Sequence, residues 1–278
     1  MSDTKKTIVI TGASDGIGAA AAKELAAQGH NVVIVGRNPQ KTEKIALELG
    51  APFHIADYAK LSDVVRLSNE LQRYSKIDVL INNAGAAMDK RKLTEDGFEQ
   101  TFQVNVLAPF LLTHLLIEKL CESNATIVQT ASIAANLFGK DFSVDNLQNE
   151  KDFSPLKAYG RAKLCGILVT RELHKRFAEQ GICAVAFQPG IPRTNFACES
   201  TKFLRFAYHS PMKYLFTISK KRSAKRMVHF ALGKPNVDFV CGETYTFKKK
   251  YKIKFHDNDG AVSRALWQRC EELLKQYL

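Results

Sequence analysis

The feature that most constrains this chain is an alternation of two hydrophobic periods. Short runs rich in Val and Ile at 7–11, 31–36, 52–55, 77–81 and 126–131 are separated by segments with apolar residues at helical spacing, at 17–28, 40–49, 61–74 and 95–120. The runs are mostly apolar throughout rather than alternating, the pattern of strands buried on both faces. Strand and helix taken in turn predict a parallel sheet covered by helices on both sides. The pattern continues with a helix at 155–180, a strand at 182–187, a helix near 219–232, a strand near 244–247 and a closing helix at 260–278. No linker, repeat or low-complexity segment interrupts the 278 residues, so the expectation is one α/β domain spanning 1–278, a doubly wound parallel sheet.

The first apolar run leads directly into Thr11-Gly12-Ala13-Ser14-Asp15-Gly16-Ile17-Gly18. A glycine turn between a strand and a helix suits a dinucleotide. Gly12 permits the tight turn, Gly16 a close backbone approach to a pyrophosphate, and Gly18 close packing of helix on strand. The helix start then offers free N–H groups and the positive end of its dipole. Ser14, Asp15 and Ile17 line the same loop. The third and fourth strand ends carry Asp57-Tyr58 and Asn82-Asn83-Ala84-Gly85, where small residues leave backbone clearance at the carboxyl end of the sheet. Asp57 equally suits a cap for the next helix.

This pattern, TGxxxGIG followed by NNAG, resembles the short-chain dehydrogenase/reductase family, a Rossmann-type fold. The resemblance implies a catalytic tetrad of Asn105, Ser132, Tyr159 and Lys163, which occur in the family's order. The residues support the roles physically. Pro109 lacks an N–H to donate to Asn105 four residues earlier, which frees a helix carbonyl. Tyr159 and Lys163 share one helix face, and an ammonium near a phenol favours the phenolate. Ser132 follows a strand end, placed to bond a carbonyl. The resemblance further implies cofactor contacts at Asp57, Tyr58, Asn83, Ala84, Gly85, Pro189, Gly190 and Thr194, and a substrate lid within 195–235. The long interval between Ser132 and Tyr159, with Gly242-Glu243-Thr244-Tyr245 and Ala265-Leu266-Trp267, looks like the retinol dehydrogenase branch.

At the end of the second run stand Arg37-Asn38, with no acidic residue to accept from a ribose 2′-OH. Arg37, helped by Lys41, suits a 2′-phosphate, so NADP(H) is favoured over NAD(H). Asp15 works against this, since a carboxylate there repels a nearby phosphate. The expected reaction is hydride transfer between the nicotinamide and a carbonyl or alcohol of a lipophilic small molecule. The rival is a non-enzymatic NADP(H) sensor or scaffold.

The net charge of +12 is concentrated: residues 195–278 hold 17 Lys+Arg against 7 Asp+Glu. This surplus lies outside the tetrad and is expected to be unconnected with cofactor choice. It suits a solvated face or, with the aromatic residues of the lid, peripheral contact with an anionic membrane surface. No nucleic-acid signature accompanies it. The six cysteines show no CxxC pair and no metal-ligand spacing, and are expected to be reduced in a cytoplasmic protein without a metal site. No apolar run reaches membrane-spanning length, and 1–10 has no h-region. By resemblance, the helices at 95–120 and 155–180 pair between subunits, implying a homo-oligomer.

Overall fold

The computed structural model describes residues 5–139, 142–190, 219–257 and 260–278. Thr194 and most of the expected lid therefore lie outside the described residues. Strands β1 (Thr7–Thr11), β2 (Asn31–Gly36), β3 (Phe53–Ile55), β4 (Val79–Asn82), β5 (Thr126–Thr130), β6 (Cys183–Gln188), β7 (Thr244–Thr246) and β8 (Lys249–Lys250) form one sheet in the order β3-β2-β1-β4-β5-β6-β7-β8. Every pairing is parallel except β7 with β8, an antiparallel hairpin absent from the sequence expectation.

The strands are buried on both sides because their alternate residues enter two different cores. Val9, Val33, Val35, Leu80 and Ile127 face one layer, which contains α3 (Leu61–Leu71), α4 (Ala108–Leu115), α6 (Pro155–Phe177) and α8 (Ala261–Leu274). Ile8, Ile10, Ile34, Ile81 and Val128 face the other, with α1 (Gly16–Ala27) and α7 (Lys220–Leu232). The helix α2 (Pro39–Leu49) flanks β2 on that second side, burying Thr42 and Ala46. From β1 the chain winds outward to β3, then returns to start the other half at β4. That reversal opens a crevice at the carboxyl ends of β1 and β4, the usual ligand position in such sheets.

The expected continuous helix at 95–120 is broken. Residues before Gln100 form a turn in which Leu93 bridges Glu99 and Gly97 has φ +82°. The Glu99 carboxylate caps the helix start by accepting from the N–H groups of Thr101 and Phe102. Residues Gln103–Leu107 then form a wider π-type turn, with the Ala108 N–H donating to the Gln103 carbonyl five residues back. Pro109, with no N–H, follows it immediately, and this change of register accommodates the missing donor. After α4 the chain turns again at Leu116 before α5 (Ile117–Glu122).

One other expectation changes. Cys183, opening β6, and Cys241, just before the neighbouring β7, form a disulfide across 58 residues. No local spacing announces it; parallel pairing of β6 with β7 brings the two together. The expectation of six reduced cysteines is thus overturned, and with it the support that cysteine usage lent to a cytoplasmic setting. Cys121, Cys165 and Cys270 are free. The closing helix packs on the layer that holds α4 and α6. The Trp267 ring of α8 packs 4.7 Å from Phe110 of α4 and 6.2 Å from Phe177 of α6. No helix among the described residues is long and apolar enough to cross a membrane.

Alkylation of the denatured, unreduced protein is expected to leave Cys183 and Cys241 unlabelled, and reduction to expose both. Removing the bridge should lower stability by about 2–4 kcal/mol, read as a lower Tm in reductant that the Cys183→Ser/Cys241→Ser double variant no longer shows.

Candidate active site

The glycine loop after β1 and the Asn-Asn-Ala-Gly turn after β4 are bound to each other. The Thr11 hydroxyl donates to the Ile81 carbonyl (3.2 Å) and accepts from the N–H groups of Asn83 and Ala84 (3.0 Å each). Asn83 Nδ2 donates to the carbonyls of Thr11 (2.9 Å) and Gly12 (3.2 Å). The packing explains the glycines. A Cβ on Gly12, where φ is +65°, would lie 2.8 Å from Ala84 Cα, and one on Gly18 would lie 2.4 Å from the Gly12 carbonyl. Gly36, closing β2, would meet Ser14 Cβ at 2.8 Å, so Arg37 follows directly beside the loop.

Asp15 caps α1, its Oδ1 accepting from the Gly16 N–H at 2.6 Å. Burial pushes this carboxyl up, but the Gly16 bond and the ammonium groups of Lys220 and Lys41 outweigh it and hold it below the usual range. The N–H groups of Ile17 and Gly18, in the first turn of α1, have no acceptor within the helix. Asn38 caps α2, its Oδ1 accepting from the Lys41 N–H at 2.9 Å. Asp57 Oδ1 accepts from the Ala59 N–H, closing a local turn rather than capping α3 directly. Tyr58 is buried in the core, where burial raises its phenol, and its carbonyl accepts from Gln103 Nε2.

Asn105, Tyr159 and Lys163 meet at the carboxyl ends of β4 and β5, and Ser132 follows β5. Lys163 on α6 is only 4% exposed, and its Nζ donates to the Thr130 carbonyl at 3.1 Å. The same Nζ lies 5.5 Å from the centre of the Tyr159 ring. Burial lowers its pKa to about 8. Asn105 Nδ2 donates to the carbonyls of Ala86 (2.7 Å) and Thr101 (2.8 Å), which orients Oδ1, a buried atom without a partner. A Cβ on Gly85 would lie 2.6 Å from that Oδ1 and 3.1 Å from Lys163 Nζ. Gly85 therefore keeps open a small space shared by Asn105 and Lys163. Ser132 sits one residue past Ala131 with its Oγ accepting from the Ala134 N–H at 3.2 Å. Across the crevice, Gly190 has φ +86° and the Pro189 carbonyl accepts from Ser223 of α7.

Three features escaped the sequence reading. Arg161, between Tyr159 and Lys163, is buried and makes two bonds to Asp152 (2.7 and 3.0 Å) and one to Asn149 (3.2 Å). With Lys157 it holds the Asp152 carboxyl far below the usual range. This network ties the long interval before Tyr159 onto the first turns of α6. The second is Lys220, from the basic end of the chain, which reaches Asp15 in the glycine loop. Third, the lysine-rich segment after β7 joins the loop after Ser132, with Asn136 bonded to the Tyr251 hydroxyl, the Lys252 carbonyl and the Lys254 N–H. Only pairing across the fold reveals these contacts; no local motif marks them.

Residues 6–204 match the family model described as short chain dehydrogenase. Retinol dehydrogenase 12 of Mus musculus is 34% identical over 278 aligned residues, covering 97% of this chain and 86% of that protein. Retinol dehydrogenase 13 of Homo sapiens is 31% identical, covering 97% and 84%. Among solved structures, 3-ketoacyl-(acyl-carrier-protein) reductase from Brucella melitensis complexed with NADH superposes with a TM-score of 0.67 at 25% identity, over 87% of this chain and 96% of that one. The chain belongs to the short-chain dehydrogenase family, whose members are oxidoreductases of alcohol and carbonyl groups using nicotinamide cofactors. Within the family it is retinol dehydrogenase-like.

The residues present fit such a cofactor: a glycine-lined helix start, and a buried Lys163 and orphaned Asn105 Oδ1 around the space that Gly85 leaves. Gly12→Ala is expected to raise the dissociation constant for nicotinamide cofactors at least tenfold in fluorescence titration, because both the positive φ and the Ala84 contact oppose a methyl group.

Proposed function

We propose that the protein is an NADP(H)-dependent oxidoreductase acting on a carbonyl or alcohol group of a lipophilic small molecule. The observation that carries the reading is the buried Lys163 ammonium, 5.5 Å from the Tyr159 ring and beside the unpartnered Asn105 Oδ1. A bound nicotinamide cofactor supplies or accepts the hydride. The Ser132 hydroxyl donates to the substrate oxygen and holds it against Tyr159. The Tyr159 hydroxyl gives that oxygen its proton in reduction and takes it back in oxidation. Lys163 favours the phenolate by its charge and donates to the cofactor ribose. Asn105 Oδ1 accepts from a water that returns protons to Lys163.

Arg37 beside Ser14, and the absence of a carboxylate at the end of β2, support NADP(H). The lipophilic substrate is supported by the exposed Ile133, Leu137 and Leu156, which flank Ser132 and precede Tyr159, and by the retinol dehydrogenase relatives. A homo-oligomer is part of this reading by analogy with the family. Peripheral membrane contact and a cytoplasmic location remain part of this reading.

Tyr159→Phe is expected to reduce kcat on apolar aldehydes and ketones by about 10²–10⁴-fold while cofactor affinity changes little. Turnover near that of the unaltered protein would refute the assignment. Lys163 is protonated through the neutral range and neutral above about pH 8. The reductive kcat/KM should therefore fall as the pH rises through about 8, with no matching fall in cofactor affinity below that pH.

A further inference from the structure

The basic surplus of the C-terminal part enters the cofactor crevice at one point. Lys220 is the first residue of α7, and its Nζ lies 3.5 Å from Asp15 Oδ1. Lys41, on the first turn of α2, places its own Nζ 3.6 Å from Asp15 Oδ2. Two ammonium groups from elements far apart in sequence thus meet one carboxylate, leaving one positive charge in excess before Arg37 is considered. Asp15 is itself fixed, because Oδ1 also accepts from the Gly16 N–H. Both ion pairs are longer than a charged hydrogen bond of about 2.7–2.9 Å, so each ammonium can turn toward a second anion without leaving the first.

The position of the cluster suggests which anion. It lies between the glycine loop after β1 and the start of α2 after β2. In doubly wound sheets the adenosine ribose sits there, and the residue at the end of β2 reads its 2′ position. Asp15 alone would repel a phosphate at that point. Bridged to two lysines, it becomes the post that spaces them.

We infer that Lys220 and Lys41, held by Asp15, form the subsite for the 2′-phosphate of the bound dinucleotide, with Lys220 as a specificity-determining residue contributed by α7. The inference rests on the NADP(H) reading above and extends it to a helix that follows the catalytic residues in sequence. It also revises the expectation that the basic end has no bearing on cofactor choice.

The test is direct binding to the full-length chain, by fluorescence titration with NADPH and NADH and by displacement of NADPH with 2′,5′-ADP. Lys220→Gln should weaken NADPH and 2′,5′-ADP about tenfold and change NADH less than twofold. Lys41→Gln should act in the same direction. Lys225→Gln, on the same helix, serves as the control and should change neither. Thermal unfolding of each variant separates lost contacts from lost folding. A protein that binds NADPH no better than NADH would overturn the cofactor reading, and this inference with it. If the unaltered protein prefers NADPH and Lys220→Gln keeps that preference, the Lys220 assignment alone fails. An equal loss of both cofactors would also overturn it, since Lys220 would then be holding the loop rather than reading the phosphate.

Discussion

Lys163 is a buried ammonium, and the surrounding loops are arranged to tolerate one. Burial disfavours the charged form and brings its pKa down to about 8. The Thr130 carbonyl accepts a hydrogen bond from it, and Gly85 stays small so that Asn105 Oδ1 can stand close by. That arrangement requires β4, β5 and α6 to converge, which the continuous apolar strands enforce by burying both faces of the sheet. The placement of Lys163 beside the Tyr159 ring is thus a consequence of packing, and a charge held out of water acts more strongly on a neighbouring phenol.

The polar ties around the crevice serve the same end. Thr11 and Asn83 lock the glycine loop to the turn after β4, so the two halves of the doubly wound sheet present one rigid edge. Arg161 and Asp152 do the equivalent for the start of α6, where the long interval before Tyr159 could otherwise stand away from the helix. The π-type turn ahead of Pro109 orients Asn105. Each is a place where local regularity is given up and hydrogen bonds to distant residues replace it.

The legible part of the molecule was that governed by short-range rules. The bounds of β1 and β2 agree to the residue with the apolar runs at 7–11 and 31–36, and the glycine and NNAG motifs fall at the strand ends where they were expected. The helix at 95–120 was misread because apolar periodicity is blind to the change of hydrogen-bond register around Pro109. The cysteines were misread because redox state depends on which strands become neighbours. Lys220 was set aside as part of a solvated basic face because charge counted along the chain carries no direction.

Sequence alone determined the doubly wound α/β class, the order of the candidate site residues and the loop suited to phosphates, since strand burial, helix periodicity and glycine geometry are local properties of the chain. Tertiary structure alone decided the Cys183–Cys241 bridge, the packing of Trp267 against Phe110 and Phe177, the isolation of Asn105 Oδ1 and the meeting of Lys220 with Asp15. These depend on contacts between residues tens to hundreds of positions apart, whose partners are set by how sheet and helices pack and not by any spacing along the chain.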